Sequence, residues 1–119
     1  MIKFKSLSQS KEFKKILGKR KINTKYFTIY FDKDLTNYNK YLNISFIMKK
    51  NIGNAVVRNR IKRKLKHAVQ IISKESKLID LNYTYVIFGR NNVYKDKFAN
   101  VLSEVNNSFK KIKQMGSRI

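Results

Sequence analysis

Hydrophobic residues in this chain follow two spacings. Tyr26 to Phe31 is dense in aromatic and β-branched residues and predicts a strand. Phe27, Ile29 and Phe31 share one face of it; Tyr26, Thr28 and Tyr30 share the other. Tyr41 to Met48 predicts a second strand and Tyr83 to Gly89 a third. Any fourth strand is short, near Phe4 or at Lys40. The outward face of the second strand stays open, because a one-residue slip reverses its faces. Ser8 to Leu17 has helical spacing through Phe13, Ile16 and Leu17, with Ser8 or Ser10 as cap. Gly18 ends that helix, and Lys19-Arg20-Lys21 reads as a basic turn. Asp32 to Asn39 reads as a polar loop. Asp96 to Lys113 predicts a final amphipathic helix, with Phe98, Val101, Leu102, Val105, Phe109 and Ile112 on its apolar stripe.

The segment Lys49 to Ser73 is the most informative. Asn54 is placed to cap a helix, with Gly53 as the turn before it. At ~100° per residue, Val57, Ile61, Leu65, Ala68 and Ile72 fall within a sector about 80° wide, which predicts the buried stripe. Asn59, Arg60, Lys62, Arg63, Lys66 and His67 fall outside it. Arg58 lies at its edge, where the stem packs and the head reaches out. No acid occurs from Lys49 to Lys74. A solvated helix normally intersperses Glu to gain i,i+4 pairs. Three of the chain's arginines stand in this run, although the chain prefers Lys elsewhere. Arginine's planar fork matches phosphate and stacks on bases.

Composition sharpens that picture. The 119 residues suit a single domain spanning 1–119. Lys and Arg total 28 against 7 Asp and Glu, a formal net charge of +21. So much like charge destabilises a compact state unless a polyanion offsets it. Phosphate neutralisation makes nucleic acid the expected partner. No apolar run approaches the ~20 residues of a membrane span, and MIKFKSLSQSKEFKK lacks the apolar stretch of a signal peptide. A membrane is therefore not the expected partner. With no Cys and one His, a zinc site built on those residues is excluded. Seven scattered acids give little basis for a two-metal nuclease site. His67, with no clustered acid or second His, reads as a surface or RNA-contacting residue and not as a catalytic base.

Together Lys49-Lys50, Gly53-Asn54-Ala55-Val56, Arg58-Asn59-Arg60 and Ile61-Lys62-Arg63 resemble the signature of the bacterial ribonuclease P protein family, known for its RNR motif. A lone RNR is a weak signal in so basic a chain; the full string in one order is a strong one. The resemblance covers most of the chain. It takes in a first helix with Phe13, an aromatic strand with Tyr30, the basic helix, a strand ending in Arg90, and a final helix.

The resemblance implies an α/β (α+β) two-layer sandwich. A mixed, mostly antiparallel sheet of about four strands carries three helices, with a left-handed βαβ crossover around the basic helix. It implies a protein subunit of an RNA enzyme that removes the 5′ leader of precursor tRNA. Catalysis then resides in the RNA subunit, and Mg2+ is held mainly by RNA; the protein binds no cofactor of its own. Lys49, Lys50, Asn54, Arg58, Asn59, Arg60, Lys62, Arg63 and Lys66 would contact the catalytic RNA. Phe13, Leu17, Thr28, Tyr30 and Arg90 would hold the single-stranded leader. The expected partners are the RNA subunit and precursor tRNA, with no obligate protein partner, in the bacterial cytoplasm. The physics of the cleft agrees, since single strands bind aromatic platforms beside basic side chains. Read from spacing alone, Phe13 and Leu17 serve equally well as core, and most family members carry Phe where Leu17 stands. A general RNA-binding or ribosomal protein is the competing reading.

Overall fold

The computed structural model describes residues 4–5, 20–33, 41–75 and 78–116. The predicted first helix, with Phe13 and Leu17, lies outside the described residues, as does most of the predicted loop before Tyr41. Five strands form one sheet: β1 (Phe4–Lys5), β2 (Arg20–Asn23), β3 (Phe27–Lys33), β4 (Leu42–Ile47) and β5 (Tyr83–Gly89), in the order β1-β4-β5-β3-β2. The helices are α1 (Ala55–Glu75), a single turn α2 (Asn92–Lys95) and α3 (Phe98–Gly116). A 3-10 turn at Lys50–Ile52 leads into α1.

The sheet is mixed. β2 and β5 each pair antiparallel with β3, over four and seven positions. β1 and β5 pair parallel with β4, over two and five. More of the sheet is therefore antiparallel, as expected. Parallel strands cannot be joined by a hairpin, and α1 is the crossover that carries the chain from β4 to β5.

The short strand expected near Phe4 is β1. β2 was not expected: Arg20 and Lys21 read as part of a turn. Four residues, only one of them apolar, leave too little pattern to signal a strand. Pairing with β3 makes it one, and its exposed charges suit a sheet edge. The guanidinium of Arg20 lies 5.1 Å from the Phe31 ring centroid and 5.7 Å from that of Tyr83, so its charge rests on aromatic faces.

Both long helices pack on one face of the sheet. Phe27, Ile29 and Phe31 of β3, Leu42 and Ile44 of β4, and Tyr85 and Ile87 of β5 are buried there. Ile61, Leu65, Ala68 and Ile72 of α1 meet them, with Val101, Val105, Phe109 and Ile112 of α3. The stripe read from helical spacing is thus the buried one; Val57, at its N-terminal end, is partly buried against the same core. Tyr26 departs from its expected face. It precedes β3 in a turn held by Thr24, whose Oγ1 accepts the N–H groups of Tyr26 and Phe27, and its ring joins the core. A turn breaks the period-two alternation that placed it beside Thr28 and Tyr30.

One close approach sets where α1 crosses the sheet. A Cβ at Gly89 would stand 2.5 Å from Met48 Sδ and 2.9 Å from Ile61 Cγ2. A side chain at Gly89 would force Met48 and Ile61 to shift, so glycine suits the close approach of α1 to the end of β5, next to Arg90.

Candidate RNA interface

The first candidate surface is the outer face of α1. Its start follows from Asn54, whose Oδ1 accepts the Val57 N–H at 3.0 Å while its carbonyl accepts the Arg58 N–H. That is the capping role read from the sequence. Lys49 and Lys50 are exposed in the preceding turn. Asn59, Arg60, Lys62, Arg63, Lys66 and His67 are all exposed, because the 3.6-residue period that buries Ile61 and Leu65 turns them outward. No acid dilutes this face. Arg58 is half-buried, and its Nε–H is buried without an acceptor among the described residues.

Lys64 stands apart from its neighbours. Its ammonium donates to the carbonyls of Val93, Tyr94 and Asp96 at 3.0, 3.5 and 3.2 Å. It closes the loop between β5 and α3 and is committed to the fold. His67 stacks on Phe98, ring centroids 5.0 Å apart, which ties α1 to the start of α3. Arg60 lies 6.0 Å from the Tyr94 ring centroid.

The second surface is the sheet face turned away from α1 and α3. Strand register assembles it in rows. Asn23, Thr28, Phe88 and Ile47 lie side by side; Lys21, Tyr30, Val86 and Ser45 form the next row. The register also settles which residues of β4 share this face with Tyr30: Asn43, Ser45 and Ile47, with Leu42, Ile44 and Phe46 on the other side.

Three of the five residues expected to hold a leader are described, and they meet here. Arg90 Nη2 donates to Thr28 Oγ1 at 2.9 Å and reaches Asn23 Oδ1 at 3.4 Å. Thr28 donates in turn to Asn23 Oδ1 at 2.7 Å. Tyr30 meets Phe88 edge to face, centroids 5.6 Å apart. Lys21 Nζ lies 5.9 Å from the Tyr30 centroid, and Lys49 Nζ 5.7 Å from that of Phe88. The arrangement presents two aromatic rings bordered by cations, with the guanidinium of Arg90 held in place by two neighbours. Asn23 and Phe88 were missed from sequence. Period-two spacing from Val86 could have put Phe88 beside Tyr30; nothing local marks Asn23, which reaches Arg90 only through the β2–β3 pairing.

Behind Arg90 the chain is fastened again. Tyr26 OH donates to Asp96 Oδ2 at 2.7 Å, and Lys25 Nζ pairs with the same oxygen at 3.2 Å. Asn92 Nδ2 donates to the Lys25 carbonyl, and the Arg90 N–H to the Tyr26 carbonyl. The hydrogen bonds from Tyr26 and Lys25 hold the Asp96 carboxyl below its ordinary range. The same carboxylate raises the pKa of Tyr26 and of Lys25.

Known proteins resemble the chain throughout. The family model for Ribonuclease P matches residues 1–113. The ribonuclease P protein component of Rickettsia felis is 35% identical over 108 residues, covering 84% of this chain and 90% of that protein. That of Mesomycoplasma hyopneumoniae is 30% identical, covering 96% and 97%. The ribonuclease P protein from Thermotoga maritima superposes with a TM-score of 0.74 at 20% identity, covering 90% of this chain and 96% of that one. The protein from Staphylococcus aureus at 2.0 angstrom gives 0.69 at 18%, covering 91% and 94%.

Proposed function

The chain belongs to the ribonuclease P protein family, and from that premise we propose a division of labour between its two surfaces. Members are protein subunits of the holoenzyme that matures tRNA 5′ ends, and this chain takes that role in preference to general RNA binding. In our reading the outer face of α1, with Lys49 and Lys50, binds the catalytic RNA. The sheet face turned away from α1 and α3 holds the single-stranded leader of precursor tRNA on Tyr30, with Thr28 and Arg90 beside it and Phe13 and Leu17 completing the cleft. The observation that carries this is the contrast between an acid-free basic helix face and a ring-lined, guanidinium-bordered sheet face in one small protein.

The mechanism follows from what the side chains can do. Arg60, Lys62, Arg63 and Lys66 neutralise backbone phosphates and release counterions, which gives affinity without sequence choice. Unstacked bases lie on aromatic rings, which gives preference for a substrate that still has its leader. No three of His, Cys, Asp and Glu cluster among the described residues, and the Asp96 carboxylate is taken up by Tyr26 and Lys25. We assign the ions of phosphodiester hydrolysis mainly to RNA. No helix among the described residues is long and apolar enough to cross a membrane; the proposed compartment is the bacterial cytoplasm.

The test is precursor tRNA cleavage with protein alone, RNA subunit alone, and both, at low magnesium. Cleavage is expected only from the pair. Cleavage by the protein alone would overturn the reading.

A further inference from the structure

The sheet face turned away from α1 and α3 carries a second ring that the leader reading leaves without a task. Phe88 is half-buried on β5, across from Thr28 and Ile47 and away from the core that α1 and α3 cover. It lies diagonal to Tyr30 across the strand pair, and the two rings meet at 77°. Three cations border the pair: Lys21 by Tyr30, Lys49 by Phe88, and Arg90 fixed on Thr28 in the row of Phe88. A neutral apolar partner would strand these charges. A single RNA strand satisfies both elements, since its bases stack on rings while its phosphates meet ammonium and guanidinium groups.

We propose that Phe88 is a second stacking platform for the leader. It takes the base next to the one on Tyr30, with the Lys49 ammonium moving from the ring to the intervening phosphate. This rests on the leader reading above. Lys49 is exposed on a long flexible stem, so its contact with the ring is readily given up to a base. The placement also has a direction. Lys49 runs straight into the turn before α1, the surface assigned to the catalytic RNA, whereas Tyr30 lies toward the β2 edge. The base on Phe88 is therefore the nearer one to the cut.

The experiment measures holoenzyme affinity for precursor tRNAs whose leaders grow one nucleotide at a time, with mature tRNA as the zero point. Phe88→Leu keeps the apolar bulk and removes the ring. It should weaken binding of leader-bearing tRNA by about tenfold, leave mature tRNA unchanged, and show its deficit at a shorter leader than Tyr30→Ala does. Phe88→Tyr should restore binding. A direct readout is at hand because the chain has no Trp: the emission of Phe88→Trp should be quenched by precursor tRNA and not by mature tRNA. Absent quenching, or a Phe88→Leu variant that binds every leader as the parent does, overturns the inference. Loss in Tyr30→Ala alone overturns it and leaves the leader reading standing. Loss in neither variant overturns both.

Discussion

On α1, Asn59, Lys62, Arg63 and Lys66 are exposed, Arg60 is exposed beside the Tyr94 ring, and no carboxylate on the same helix face orders them. On the sheet, Thr28, Asn23 and Arg90 hold one another, and Tyr30 and Phe88 lock edge to face. Both surfaces suit RNA, yet they spend their chemistry differently. Mobile exposed cations neutralise phosphates wherever the backbone passes, so they give affinity that salt erodes. Pre-ordered rings and a fixed guanidinium lose less freedom on binding, so in the proposed reading they are what tells a single strand from a duplex. The lesson is that the large positive charge of this chain does not by itself say where RNA is discriminated.

The strongest way to break the contrast is on the helix. Arg60→Ala with Arg63→Ala should weaken binding of the RNA subunit by about two decades at low salt and lower the salt slope by about two units. Circular dichroism should not change, since both side chains are exposed. Adding Arg58→Ala confounds the test, because its half-buried stem packs against the fold. Filter binding across a salt series checks this; an unchanged slope with intact structure would remove α1 from the interface.

On the sheet, Tyr30→Ala should weaken precursor tRNA by up to about two decades, using ~1–3 kcal/mol per stacked base. Mature tRNA should bind as before. Equal loss for both would mean that Tyr30 does not read the leader.

Lys64 sharpens the comparison from within the helix. Lys64→Met should cost stability, about 1–2 kcal/mol for the lost charge-assisted hydrogen bonds, and leave the salt slope near that of the parent. Lys62→Met should do the reverse. Urea unfolding paired with salt titration separates them, and a steep fall in slope for Lys64→Met would count against its structural role.

The smallest effect is on pH. Asp96 has a lowered pKa in the fold, so its contribution is present above the unfolded value near ~3.9 and is lost as pH falls through the folded value. Lys25 and Tyr26 have raised values, so their share is present below about 10 and is lost as pH rises through the folded values. Stability should plateau between roughly pH 4 and 10, and Asp96→Asn should flatten its acid limb. Thermal melts across pH check it; an acid limb unchanged in the variant would show that other carboxylates govern it.

The sequence by itself determined the elements whose pattern is long and local. A buried stripe of Ile61, Leu65, Ala68 and Ile72 needs only the 3.6-residue period, and the same period fixes which arginines face outward. Strand β5 was read to its ends because six dense β-formers closed by Gly89 leave little choice. The capping role of Asn54 was legible for the same reason, since a cap acts on residues three positions away. Only the tertiary structure decided what depends on pairing between distant segments. Arg20–Asn23 becomes a strand because β3 offers it hydrogen bonds, not because four mostly polar residues prefer to extend. Lys64 looks like every other lysine on α1 until three carbonyls from residues 93–96 converge on it. Asn23 of β2, Thr28 of β3 and Arg90 just past β5 meet only in the folded sheet, and Phe88 reaches Tyr30 through register alone. Helical periodicity is a property of one segment and can be read along it. A sheet face is a property of several segments at once, and its neighbours exist only after the strands have paired.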